Sequence, residues 1–369
     1  MSQRILILRG GALGDFLVTL PALGLLRTRW PAARIELVGN ARAAELGRLG
    51  GYLDAVHSQH EARWSGLYAD SPLPSAFAGW LGEFDLVVNY WPDPDRVLAR
   101  RFPVRPGQQY LAGDSAPAIA PAARHFCEPL RALGLTTDDF RSRLPFLGPD
   151  LRAEPADDGP PFSLADPDRD VAPVCAWRTR WSETGATGPR SRDGGTDSPG
   201  FTPPAIPHSA PGLPRASIAI HPGSGSPAKN WPAERWVELA ARLEGPFLLV
   251  LGEAEREQWS GPLLDRLRSA AHSSLEIADS LALPELAAAL GRCAFFLGHD
   301  SGVSHLAAAL GTPCVLLFGP TEPSMWAPPG SHVQVVRRGA RLDDIGVDDV
   351  VAALPQAAIG SSALASQLP

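Results

Sequence analysis

The sequence predicts an α/β protein of two tandem units, each a parallel sheet covered by helices. Three observations carry this reading. Apolar runs of about six residues alternate with helical patterns, as strands buried on both faces require. The pattern stops near residue 150 and restarts at Ser217. Glycine-bearing turns follow the first run of each unit directly, where a strand hands over to a helix.

In the first unit Arg4 to Arg9, Arg34 to Asn40, Tyr52 to Ser58 and Phe84 to Tyr90 read as strands. Leu17 to Arg29 and Ala41 to Leu49 carry apolar residues at helical spacing, the former interrupted by Pro21. In the second unit Ser217 to His221, Pro246 to Leu251, Ala294 to Gly298 and Pro313 to Phe318 read as buried strands. Helices are expected near Pro232 to Leu243, Glu255 to Arg268, Leu283 to Gly291 and Val303 to Leu310. The expected domains are therefore 1–150 and 217–369. Between them, 151–216 holds 12 Pro and 7 Gly in 66 positions. So little apolar surface cannot offset the entropy of ordering, which predicts a linker with a long, largely disordered insertion. Within it, Val171 to Trp181 is apolar enough to dock locally.

Composition narrows the function. Across 369 residues, 44% are hydrophobic, with 13 Phe and 10 Trp, enough for two cores. A charged fraction of 20% and a net charge of -7 exclude a basic nucleic-acid binder. Residues 1–149 carry 16 Arg against 14 acidic residues, while the remainder carries 17 basic against 26 acidic. The slightly positive half suits an anionic partner better. Cysteines 127, 175, 293 and 314 stand far apart, without metal-ligand spacing, and read as buried thiols. Before Arg9 there is only a four-residue apolar run, too short for a signal peptide, and no stretch approaches ~20 apolar residues. A cytoplasmic location is expected, with peripheral membrane contact still allowed.

Three segments carry chemistry. After the first strand come Gly10, Gly11, Ala12, Leu13, Gly14 and Asp15. Glycines let backbone approach a ligand, but the spacing matches neither a dinucleotide fingerprint nor a P-loop. Asp15 falls at a helix start, where a carboxylate either caps the helix or stands at a cleft mouth as a general base. After the strand at Ile218, His221-Pro-Gly-Ser224-Gly225 leads to Lys229, the only lysine of the chain. Small residues there expose amides to an anion, and the ammonium adds a compact charge, so the loop is suited to phosphate. Asp300, Ser301 and Gly302 fall at the next helix start, with His305 one turn in. Free amides and a hydroxyl there can hold a diphosphate, although Asp300 could equally be a cap and His305 a core residue. Asp93-Pro94-Asp95 has a metal-binding spacing but reads as a Pro-containing turn.

As an ordered set, Ile5 to Asp15 with Pro21 to Leu23, His221 to Gly223 with Lys229 to Pro232, and Gly298 to His305 resemble glycosyltransferase family 9, the bacterial lipopolysaccharide heptosyltransferases. The resemblance implies a GT-B architecture, two Rossmann-like domains facing an interdomain cleft. It implies an inverting, metal-independent transfer from an ADP-heptose-like donor to a lipid-linked oligosaccharide, with no cofactor, at the inner membrane surface. By motif position, Asp15 is the base and Lys229 the diphosphate-binding lysine. Ser224 and Gly225 lie in the donor loop, and Asp300, Ser301, Gly302 and His305 form the donor-site turn. Gly10, Gly11 and Gly14 form the acceptor-side loop. Glu255 stands where the family contacts ribose, but its spacing is one residue short, and the 151–216 insertion exceeds the family's connector. Two other functions share these features: a nucleotide-sugar epimerase of GT-B shape, and a noncatalytic module that holds a nucleotide sugar or glycan.

Overall fold

The computed structural model describes residues 3–145, 217–271 and 274–354. The expected linker 151–216, including Cys175, Asp166, Asp168 and Val171 to Trp181, lies outside these residues. The first unit is a five-stranded parallel sheet of β1 (Arg4–Arg9), β2 (Arg34–Gly39), β3 (Ala55–Ser58), β4 (Leu86–Asn89) and β5 (Gln109–Ala112). Their order is β3–β2–β1–β4–β5. The second is a six-stranded parallel sheet of β6 (Ile218–Ile220), β7 (Phe247–Leu251), β8 (Leu275–Asp279), β9 (Phe295–His299), β10 (Cys314–Leu317) and β11 (Val333–Val336). Its order is β11–β10–β9–β6–β7–β8.

Helices of the first unit are α1 (Leu13–Leu17), α2 (Leu20–Arg29), α3 (Ala41–Leu49), α4 (Ser75–Leu81), α5 (Val97–Arg101) and α6 (Ala122–Cys127). Those of the second are α7 (Ala233–Ala240), α8 (Gly261–Ala270), α9 (Leu283–Leu290), α10 (Gly302–Ala309), α11 (Pro323–Trp326) and α12 (Val347–Ala352). Three expectations need correction. The single helix read from Leu17 is two, α1 and α2, divided at Val18 and Thr19. The helix read from Glu255 begins only at Gly261, whose φ of +53° is non-helical. Asp300 is not the cap of α10; the cap is Ser301, whose side chain accepts from the Ser304 amide.

Alternation along β1 feeds two cores. Ile5 and Ile7 pack with Phe16, Leu17 and Leu23, whereas Leu6 and Leu8 pack with Trp64, Phe84 and Trp91. Each such fully buried side chain contributes roughly 1.5–3 kcal/mol. The first of these cores does not stop at the unit boundary: it continues through Leu306, Phe296 and Leu316 of the second unit. Helices α1 and α10 therefore sit in one continuous apolar mass, and the units are fixed to each other beside their two glycine-bearing loops. Asp93 accepts from the amides of Leu98 at 2.9 Å and Ala99 at 2.8 Å, so it holds the start of α5. No helix among the described residues is long and apolar enough to cross a membrane.

Candidate active site

In each sheet the chain reverses its direction of winding beside the first strand of the unit, between β1 and β4 and between β6 and β9. Open α/β sheets bind ligands in the crevice at the carboxyl ends of such strands. The segment Gly10–Asp15 follows β1, His221–Lys229 follows β6, and Asp300–His305 follows β9. All three sequence-derived segments thus stand at switch points.

The two switch points also face each other. A Cβ built on Gly14 would lie 3.6 Å from Gly302 Cα and 3.7 Å from His305 Cδ2. The start of α1 therefore meets the start of α10 closely, with Leu13 and His305 beside the two glycines. Buried His305 experiences the charges of Asp300, Asp15 and Lys229 together. Its pKa lies below the ordinary histidine value because burial outweighs the two carboxylates.

On the first-unit side, the Asp15 carboxylate is held from beneath. Its Oδ2 accepts from the Ala12 amide at 2.8 Å, and its Oδ1 accepts from Arg9 at 3.2 Å. Gly11, at φ +103°, curls over it; a Cβ there would stand 2.5 Å from Asp15 Oδ2. The Asp15 side chain remains 37% exposed, whereas that of Arg9 is 4% exposed. Gly10 is pressed against Gln59 and Trp91. Asp15 thus satisfies an amide at the start of α1 and keeps its carboxylate partly open to solvent.

On the second-unit side, Lys229 Nζ donates to Asp300 Oδ2 at 2.8 Å. The Ser301 hydroxyl is occupied within its own turn. It accepts from the Ser304 amide at 3.3 Å and lies 3.1 Å from Ser304 Oγ, which itself donates to the His299 carbonyl. What the turn offers an anion is therefore backbone, since the amides of Gly302 and Val303 have no acceptor among the described residues. Ser224 Oγ is 2.7 Å from Asn230 Oδ1 and 2.8 Å from the Ser226 carbonyl. Gly225 is exposed, with open space where a Cβ would be, so nothing in its packing demands glycine. Glu255 is buried beside this loop: Oε2 accepts from the Gly252 amide at 2.9 Å, and a Cβ on Gly223 would collide with its carboxyl group.

Sequence reasoning passed over three site residues. Arg9, the last residue of β1, points into the site from below. Thr19, fully buried, donates its hydroxyl to the Asp15 carbonyl at 2.8 Å. His299 joins both ends of the second-unit loop: its Nε2 accepts from the Trp231 amide at 2.9 Å, which leaves Nδ1–H to donate to the Gly223 carbonyl at 3.4 Å. Burial pushes the His299 pKa down to about 3, so it keeps this neutral tautomer. Arg9 could have been noticed as the charge that ends an otherwise apolar strand.

Residues 196–344 match the model of glycosyltransferase family 9 (heptosyltransferase). Lipopolysaccharide heptosyltransferase 2 of Salmonella typhimurium is 34% identical over 128 residues, covering 33% of this chain and 36% of that protein. The chain thus spans about a third of the length of this curated relative. Among solved structures, a glycosyl transferase family 9 protein from Veillonella parvula has a TM-score of 0.60 at 22% identity, covering 96% of this chain and 97% of that one. E. coli heptosyltransferase WaaC with ADP has a TM-score of 0.61 at 18% identity, covering 96% and 100%. The family match is thus confined to residues 196–344, while the solved structures share the fold of nearly the whole chain, two parallel-sheet units in the GT-B arrangement that the motifs implied.

Proposed function

We propose that this chain is an inverting, metal-independent glycosyltransferase that moves a heptose-like sugar from a nucleoside diphosphate donor to a hydroxyl of a lipid-linked oligosaccharide. The observation that supports the reading is the close approach of Gly14 to Gly302 and His305, which sets the Asp15 segment of one unit against the Asp300 and Lys229 segments of the other.

The chemistry follows from that placement. The acceptor oxygen attacks the anomeric carbon as the bond to the diphosphate oxygen breaks, and Asp15 takes the hydroxyl proton. Attack from the side opposite the leaving group inverts the anomeric centre. Negative charge accumulates on the departing diphosphate, and Lys229 with the Gly302 and Val303 amides supplies fixed positive potential there. These groups provide the stabilisation that a divalent cation gives in metal-dependent transfer, so activity should persist in a chelator. Glu255 and Ser224 border the same loop and are suited to the nucleotide end of the donor. Arg42 and Arg96 are exposed at the carboxyl ends of β2 and β4, and neither pairs with a carboxylate among the described residues. Such cations suit an acidic, membrane-borne acceptor, with the enzyme lying peripherally on the cytoplasmic face of the inner membrane.

The test is ADP release from ADP-heptose in the presence of vesicles of heptose-deficient lipooligosaccharide. Asp15→Asn should lower turnover at least about 100-fold while ADP affinity in calorimetry stays within twofold. Undiminished turnover would remove Asp15 from the mechanism, and isomerised donor without acceptor would assign the chain to the epimerases.

A further inference from the structure

Arg9 sits where a charge is expensive. It ends β1, the central strand of its sheet, and its guanidinium is almost wholly withdrawn from water. Three of its four hydrogen bonds converge on the segment Asp15 to Thr19. Nε donates to the Asp15 carbonyl at 3.1 Å and to Thr19 Oγ1 at 3.1 Å, and one terminal nitrogen reaches Asp15 Oδ1 at 3.2 Å. The other donates to the Ser115 carbonyl at 3.3 Å, on the loop between β5 and α6, and the guanidinium lies 4.2 Å above the Phe126 ring. A buried arginine serving only the packing of the sheet would not need to grip both the main chain and the carboxylate of one exposed residue.

We propose that Arg9 is the positioning residue of Asp15, locking its side chain toward the crevice. The proposal rests on the reading of Asp15 as the base. Arg9 is too deeply buried to touch either substrate, so its effect must pass through Asp15. Thr19 completes the device, because its hydroxyl donates to the Asp15 carbonyl and accepts from Arg9 Nε. The carboxylate oxygens each accept one bond from the protein and retain acceptor positions for a substrate hydroxyl.

A double-mutant cycle tests this with ADP-heptose and heptose-deficient lipooligosaccharide vesicles. Arg9→Gln should lower kcat roughly 10- to 100-fold, with donor KM and calorimetric ADP affinity within twofold, and Arg9→Lys should recover part of the loss. In the Asp15→Asn background, Arg9→Gln should lower turnover no further. A full additional loss there, or a loss of ADP affinity matching the loss of kcat, would make Arg9 a structural residue and overturn the proposal. Should Arg9→Gln fail to fold by thermal melting, Thr19→Val carries the same cycle, with an expected loss of about fivefold that vanishes without Asp15. If Asp15→Asn is itself fully active, the base reading and this proposal fall together. If Asp15→Asn is inactive and both Arg9→Gln and Thr19→Val are fully active, only the proposal falls.

Discussion

Gly302 and Gly14 meet backbone to backbone across the two units. A Cβ added to Gly302 would stand 3.0 Å from the Gly14 amide nitrogen and 2.9 Å from the Leu13 Cβ, neither of which can swing away. The contact is asymmetric, since a Cβ added to Gly14 would find only ordinary van der Waals distances. Gly302→Ala should therefore push α1 off its seat and displace Asp15, lowering kcat about tenfold or more. Gly14→Ala should remain within about twofold of the wild type, helped by the better helix propensity of alanine. Steady-state kinetics on the two variants checks the order, and equal effects would contradict the geometry.

Lys229 meets the buried carboxylate of Asp300 through its compact ammonium. Arginine at 229 would form a broader fork with Asp300 and present a bulkier, differently hydrated cation to a diphosphate. Lys229→Arg should raise the Kd for ADP by about tenfold, and Lys229→Ala should raise it more, because Asp300 would then repel the ligand. Calorimetry with ADP reads both. Unchanged affinity in Lys229→Arg would show that any cation suffices at this position.

His299 links acid sensitivity to the loop after β6. Its folded pKa of about 3 lies below the ordinary value of 6.5, and His221 and His305 are also shifted down by burial. Below pH 6.5 the unfolded chain binds protons that the folded chain refuses, so stability falls as pH falls, by up to ~1.4 kcal/mol per pH unit for each such histidine. Glu36 adds a second loss at lower pH. Hydrogen bonds from His57, Arg34 and Arg4 overcome its burial and hold its pKa at about 2, so its contribution is lost between about pH 4.5 and 2. Urea unfolding between pH 7.5 and 5 should show a shallower pH slope for His299→Asn than for the wild type, and parallel slopes would contradict the assignment.

Central strands and glycine-bearing loops were legible in the sequence because their physical signal is local. Ile5 to Leu8 of β1 and the whole of β7 are unbroken apolar runs, and Ala41–Leu49 has the bounds its periodicity predicts. Three of the four edge strands were not legible; the fourth, β3, lies within the run read as Tyr52 to Ser58. β5, β8 and β11 are short and only half buried, so they lack the continuous run that reveals a strand covered on both faces. Asp15, Lys229 and Asp300 could be picked out by residue type and position after a strand. Arg9 and His299 could not be assigned that way: nothing in residue type shows that Arg9 turns back onto Asp15, and His299 grips Gly223 and Trp231 across tens of residues. Contacts of that range depend on the order of strands in the sheets, which no local pattern encodes.

The solitary lysine has a practical consequence. With every other basic side chain an arginine apart from the histidines, amine-directed reagents find one side-chain address in the whole polypeptide. That ammonium is about a third exposed, at the rim of the anion cradle. A fluorophore or crosslinker attached through it would label the crevice without any engineered handle. Protection of that amine from the reagent by ADP would then report occupancy of the crevice, independently of whether any sugar is transferred.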